Sequence, residues 1–392
     1  MESGLLGNGL LFGTGQSEKD DEVEAAAEVV RSALGDRTPD EGDLFFAFPT
    51  ISYDMEAIGA ALVEAAAPAR VVGCSAFGSF ASSRYVPKGC TGVFVPAGGS
   101  SFGVAFSESL GGDLFSATQD AVQRALEESG EEMPYTVILL LSDGLAGDQR
   151  EVVRGAYSIS KATIPLVGGA AAASEDARIT YQFAGGKTMT NGVVAVAINS
   201  PTPLGVGVRH GWSPIGESMI VTRAEGNVVW EFDGSPAVDV YMSRVGEPDS
   251  DHAERPSLAV MGRPLGIAMG SGGYEIRHVV DIDPDGGLVL FGHIGEGAIV
   301  RVMRSDVDSL TNAAEQAASD AIAALETPPR GALVFSCTAR AMVFGKEIVK
   351  EPVAISAGLG MAPVGGFLTY GEFARVMGAS GFHNATVAVL VF

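Results

Sequence analysis

One order of elements occurs three times along this chain, and that repetition restricts the possible folds more than any single motif does. Residues 43–80 read "DLFFAFPTISYDMEAIGAALVEAAAPARVVGCSAFGSF". The apolar run at 43–48 predicts a buried strand, and Met55, Ile58, Leu62 and Val63 recur at helical spacing. A second apolar run then opens into the glycine-rich "VVGCSAFG". Residues 136–174 repeat this order, with Val152, Val153 and Tyr157 on the helix and "LVGGAAAA" at the end. The third copy starts at Ala332, where "ALVFSCTAR" is the strand, 341–350 a shorter connection and "PVGGFLTYGEF" the glycine-rich element.

A further strand and an amphipathic helix precede each copy: "GLLFGTG" with 18–34, "SFGVAFSES" with 113–128, and "AIVRVMRSD" with 307–325. An alternating strand follows each: "TGVFVPA", "GVVAVAI" and "NATVAVLVF". The unit is β-α-β-α-β-β, so the expected class is α/β, with mixed sheets flanked by helices and parallel pairs covered on both faces. Residues 199–297 depart from it, as short strands separated by "EGN", "DGS" and "PDGG" predict an antiparallel, β-rich insert. The polar, aperiodic "VGEPDSDHAERPS" at 245–257 is the expected linker, giving domains of 1–245 and 246–392.

A chain of 392 residues favours two domains over one small core. With 46% hydrophobic and 19% charged residues it is globular, and 52 glycines and 19 prolines imply many turns. A net charge of −23 argues against nucleic-acid and anionic membrane partners, which need a basic face. Arginine preference with abundant Ala, Gly and Val reflects a GC-rich bacterial genome. Three scattered cysteines, Cys74, Cys90 and Cys337, offer neither a disulfide framework nor a CxxC zinc site. The start lacks a basic leader region and no apolar run reaches about 18 residues, so a cytoplasmic protein without cofactor or metal is expected.

The glycines of "GTGQSEKDDEVEAAA" precede a helix whose entrance carries Glu18, Asp20, Asp21 and Glu22, which repel phosphate. "VVGCSAFG" with Cys74 and Ser75, and "LVGGAAAAS" with Gly168 and Gly169, suit either close backbone packing or a pocket wall. His210 and Trp212 share the glycine-containing turn "RHGWSP", a candidate ligand contact. The densest cluster is C-terminal: Cys337, Arg340, Thr369, Tyr370, Glu372, His383, Asn384 and Thr386, at the ends of neighbouring strands. Four readings stay open there. Arg340 can clasp a carboxylate while Glu372 takes a cationic nitrogen. Cys337, His383 and Glu372 can form a thiol nucleophile, or they can bind a metal. Arg340 and Glu372 can simply pair with each other.

Five stretches in this order resemble the FIST family: "VVGCSAFG", "IPLVGGAAA", "HGWSPIG" with "VT" at 221–222, "FDGSPAVDVY", and "FSCTAR…GGFLTYGEF…HNATV". Arg277 in "YEIRHVV" suits an arginine that the family carries on a C-domain strand. The resemblance implies N-type and C-type sensory domains that bind a small ligand, such as an amino acid or related zwitterion, and couple it to a signalling partner. The resulting expectation is a stand-alone, non-catalytic sensor. Its rivals are a thiol enzyme using Cys337 and His383, and a structural adaptor without ligand.

Overall fold

In the computed structural model, which describes residues 12–161, 163–174, 178–245, 262–270, 272–375 and 381–392, the three apolar runs are strands buried on both faces. They are Leu44–Pro49, Tyr135–Asp143 and Ala332–Cys337. Each pairs in parallel with the glycine-rich strand that follows it: Arg70–Cys74, Leu166–Ala171 and Val364–Thr369. Each pairs antiparallel, on its other side, with the last strand of its unit: Cys90–Val95, Gly192–Ser200 and Val387–Val391. Alternate side chains explain the unbroken hydrophobicity. Phe46, Leu139 and Phe335 meet in one core common to all three sheets. Phe45, Leu140 and Val334 point the other way, each to the helices of its own unit.

Those helices are Glu22–Leu34 with Met55–Ala66, Leu114–Glu128 with Gln149–Ser160, and Val307–Ile322 with Lys350–Gly358. Part of the acidic charge has a local use. Asp21, Asp54, Asp113, Asp148 and Asp306 each cap a helix start by accepting backbone N–H bonds. Such a cap is worth about 1 kcal/mol.

Each six-stranded sheet is completed by a hairpin from another unit. The first unit's hairpin, Ser79–Ala81 with Arg84–Val86, joins the third sheet, with Ser79 opposite Phe367. The second unit's hairpin, Gln182–Ala184 with Lys187–Met189, joins the first sheet, with Gln182 opposite Cys74. The third unit's hairpin, Glu372–Arg375 with Phe382–His383, joins the second sheet, with Glu372 opposite Gly169. The three units are closed into a ring of donated hairpins.

Two expectations are corrected. The edge strand of the third unit is Gly205–Arg209, not the 299–304 run. The reason is steric: the edge strand lies directly under the unit's first helix, and a Cβ on Gly205 or Gly207 would overlap the Ala321 or Ala317 carbonyl. Gly13 and Gly15 sit the same way under Ala33 and Val29, and Gly103 under Ala125. Ile299–Arg304 has no glycine and pairs with Ser213–Glu225 inside the insert. The insert therefore interrupts the third unit between its first strand and first helix. The connection expected at 341–350 is also longer, comprising helices Thr338–Phe344 and Lys350–Gly358 joined by a 3-10 turn.

The insert itself is an eight-stranded antiparallel sheet, nearly barrel-shaped, around Met219, Val221, Phe232, Tyr241 and Val300. The linker expected at 245–257 lies, from residue 246 onward, outside the described residues. Among the described residues, no helix is long and apolar enough to cross a membrane.

The glycine contact under the third unit's helix is testable. Gly207→Ala should lower stability by about 1–3 kcal/mol through overpacking against Ala317, read as a shifted urea midpoint with unchanged slope.

Candidate functional site

The C-terminal strand ends do converge, but on a layout different from the one expected. Ala332–Cys337 ends at a thiol that is 4% exposed, and the chain turns at once into helix Thr338–Phe344. Arg340, on that helix, is fully buried. Its Nε donates to Glu351 Oε1 at 2.6 Å, and Nη2 lies 2.5 Å from the same oxygen. Nη1 donates to His210 O at 2.9 Å and Nη2 to Leu310 O at 3.0 Å. Glu351 is also fully buried and accepts from Ser336 Oγ at 2.9 Å. This corrects two readings of Arg340. It is not placed to clasp a ligand, and its partner is Glu351, not Glu372.

Glu372 is the other wholly buried charge of the cluster. Oε1 accepts from Thr369 Oγ1, which also reaches Ser336 O at 3.2 Å. Oε2 accepts from Thr386 Oγ1 at 2.6 Å and Thr386 N at 3.1 Å. The Cys337 thiol also hydrogen-bonds the carboxyl. Burial lifts Glu372 from 4.5 to about 7, against the pull of these donors. Burial first, and then the Glu372 charge, push the Cys337 thiol well above its ordinary range. A desolvated thiol beside a carboxylate is not a nucleophile at neutral pH. Glu372 is therefore an internal junction and not a contact for a cationic nitrogen.

The remaining candidates divide between scaffold and cavity. His210 Nδ1 accepts from Trp212 N at 2.9 Å, and burial followed by the Arg340 charge lowers the imidazole to about 4. Trp212 is 4% exposed and donates from Nε1 to Ala385 O at 2.8 Å. The "HGW" turn thus clamps helix 338–344 and the 384–386 turn, a correction to its expected ligand contact. Ser75 Oγ donates to Ala172 O at 2.9 Å and accepts from Tyr181 N at 3.0 Å, which stitches the first two units together. Cys74 belongs to the central core. Cβ atoms on Gly168 and Gly169 would strike Leu140 and Thr369, so close packing explains both glycines. His383, half-buried, has Nε2 2.8 Å from Ala374 O, and burial lowers its pKa.

Cys337 and Asn384 face a cavity of about 430 Å³. Every part of the chain contributes to it: Phe77 from the first unit, Leu145 from the second, Tyr370 from the third, and His278 and Phe291 from the insert. Thr338 and Met342, one helical turn apart, form another wall. Asn384 is 1% exposed and its Nδ2 donates to the His383 carbonyl at 3.1 Å, while Oδ1 has no partner. His278 Nδ1 is likewise buried without a partner, and burial lowers that imidazole to about 4. Ala385, next to Asn384, is held at φ 53°, a left-handed conformation that costs an alanine on the order of 1 kcal/mol. The Trp212 and Thr386 bonds on either side maintain it. Sequence reasoning missed His278, Phe77, Leu145, Phe291 and Met342. Two signals were available: Phe77 within the possible pocket wall "VVGCSAFG", and His278, an imidazole within the apolar "IRHVV".

Among the described residues, no group of three His, Cys, Asp or Glu side chains is arranged to hold a metal.

Two predictions follow from these charges. Breaking one side of the buried pair with Arg340→Ala should cost about 3–5 kcal/mol in urea unfolding. Intact stability with a loss confined to ligand affinity would instead return Arg340 to the cavity. For Glu372, the folded chain retains a proton between about pH 4.5 and 7 that the unfolded chain has released. Its contribution is therefore present at low pH and lost as pH rises through that window, by about 3 kcal/mol. In Glu372→Gln, Oε1 can accept both Thr386 bonds and Nε2 can donate to Thr369 Oγ1. Relative to the parent, the variant should gain stability between pH 5 and 8, and a parallel pH profile would show that Glu372 is charged throughout.

Residues 43–235 match the FIST N domain and residues 237–375 the FIST C domain. An uncharacterized protein of Mycobacterium tuberculosis is 29% identical over 235 residues, 58% of this chain and 60% of the relative. One from Mycobacterium bovis is 28% identical over the same length and coverage. One from Methanocaldococcus jannaschii is 25% identical over 160 residues, 37% of this chain and 30% of the relative. The chain thus spans about 60% of the length of the mycobacterial relatives it matches. FIST domains are sensory domains of signal transduction. With the two matches covering most of its length, the chain belongs to the FIST family.

Proposed function

We propose that this chain is a non-catalytic sensor whose small-molecule ligand occupies the cavity walled by Cys337, Asn384, His278 and Phe291, and that occupancy is relayed to a signalling protein. One observation carries the reading: two residues that line a cavity of about 430 Å³, Asn384 and His278, each hold a buried polar atom without a partner, Oδ1 and Nδ1. An unsatisfied buried polar group costs about 1–3 kcal/mol, which a ligand would recover. The volume falls within the range of small-molecule sites. The cavity lies where three units and the insert meet, so one occupant touches every part of the chain.

An amino acid as ligand is less well supported. That expectation needed Arg340 and Glu372 as the two ends of a clamp, and both are engaged inside the protein. A thiol enzyme is also less well supported, because Cys337 faces Glu372 while the His383 ring nitrogen faces the Ala374 carbonyl. Three free, buried cysteines fit a reducing compartment, and we place the protein in the cytoplasm on that ground.

Native mass spectrometry of the full chain, purified from its own host, should reveal a retained small molecule. Met342→Trp, which fills the cavity from its helical wall, should abolish retention and the accompanying thermal stabilisation. Retention undiminished in a folded Met342→Trp protein would place the ligand elsewhere. Iodoacetamide should label Cys337 far more slowly than a free thiol at pH 8, whereas rapid labelling near pH 7 would revive the thiol enzyme.

A further inference from the structure

The same cavity carries a statement about the chemistry of its occupant, and this statement rests on the sensor reading above. We infer that the ligand is an uncharged small molecule with an apolar body and at least one N–H or O–H donor, which Asn384 Oδ1 accepts.

Among the described residues no ionised side chain lines the cavity, whose walls are mostly carbon from Phe77, Leu145, Val280, Phe291 and Met342. Several charges on the neighbouring elements are paired inside the protein. Arg340 is held by Glu351 and two carbonyls. Glu372 is held by Thr369 and Thr386 behind the Cys337 thiol. Arg277, beside His278, donates to Glu275 and to Ile276 O. In the neighbouring cleft, which shares Leu145 and Phe291 with this cavity, Arg150 Nε lies 3.0 Å from each Asp148 oxygen. A carboxylate or ammonium entering the cavity would lose its water without gaining a counter-charge, which costs several kcal/mol. A zwitterion would incur that cost at both ends.

The polar atoms then set the hydrogen-bond complement. Because Asn384 Nδ2 is committed to the His383 carbonyl, the amide orientation is fixed and the atom left over is an acceptor. A donor on the ligand is therefore required there. His278 stays neutral at pH 7, and its Nδ1 offers the second polar contact without adding a charge. Tyr370 offers the ligand no donor, since its hydroxyl proton is given to Ala173 O at 2.9 Å. The ligand is thus read as apolar over most of its surface, with a polar end at the Asn384 and His278 side.

Isothermal titration calorimetry of the full chain at pH 7 tests this with five probes of nearly one shape. They are hydrocinnamamide, hydrocinnamate, phenylpropylamine, L-phenylalanine and propylbenzene. The amide should bind at least about tenfold tighter than either ion or the zwitterion. Asn384→Leu should weaken the amide by about tenfold and leave propylbenzene unchanged. His278→Leu, on a different element, should do the same and guards against a folding defect in the first variant. L-phenylalanine or either ion binding as tightly as the amide overturns the inference while the sensor reading stands. So does amide binding that neither variant weakens. No saturable binding by any probe that Met342→Trp removes overturns the cavity reading itself, and the inference with it.

Discussion

The structure depends on hydrogen bonds that leave each unit and complete another. A sheet of four strands ending at Arg70–Cys74, Leu166–Ala171 or Val364–Thr369 would expose a row of unpaired backbone groups at that edge. The donated hairpin covers it, and the last one closes a ring. The exchange also explains the glycine-rich strand ends. Ala170 N donates to Gly371 O and Leu368 N to Gly78 O, contacts in which the backbone of one unit lies directly against the next. The second core layer has the same origin, since Phe46, Leu139 and Phe335 can meet only if the three sheets face a common centre. Separate N-type and C-type halves would each be left with an open edge, whatever the sequence boundary between them.

The ring makes its own internal comparison possible. Gly73, Gly168 and Gly366 sit at matching register positions, opposite Ala47, Leu140 and Val334. Counting along the strands then aligns Thr50, Asp143 and Cys337. In the first unit Thr50 Oγ1 accepts from Gly89 N, and in the second Asp143 accepts from Thr180, Leu145 and Asn191. The third unit has a thiol at that place, and its carboxylate comes instead from Glu372, on the donated hairpin. The register counterparts of Glu372 are Ser79 and Gln182, both uncharged. The same polar junction is built in each unit, from different residues. Cys337 is the variant of a structural position, and its contact with the cavity is a consequence of being small.

Much of this architecture is written in period and composition. Two-sided burial leaves unbroken apolar runs, and helices on one face leave a 3.6-residue period, so three units are readable from local pattern. The hairpin exchange is not, because "GSFASSRYV" carries the same turn chemistry whether its strands join their own sheet or a neighbour's. The displaced edge strand was readable in principle. "FGTGQ", "SFGVAF" and "LGVGVR" share the glycines that let a helix lie on a strand, and "IVRVMR" does not. The cavity was the least legible part. Phe77, Leu145 and Phe291 are ordinary apolar residues far apart in the chain, and only tertiary packing gives them a common purpose.

Arg340 shows how the cavity at the third unit's strand ends acquires its helical wall. In the second unit, Ser142 Oγ on the central strand donates to Gln149 Oε1 at 2.6 Å, seven residues on at the start of the next helix. In the third unit, the equivalent Ser336 Oγ donates to Glu351 Oε2, fifteen residues on. The same strand-to-helix bond is made, but it spans eight more residues (15 − 7), and those residues include helix Thr338–Phe344. An added helix needs an anchor in a place that two other units pack without one. The buried Arg340–Glu351 pair, extended to the carbonyls of His210 and Leu310, supplies it. Once the helix is pinned from that side, its opposite residues Thr338 and Met342 stand across from the insert. The arginine thus acts on the cavity through the wall it holds, which is how a residue beside a ligand site can be essential to the fold without touching the ligand.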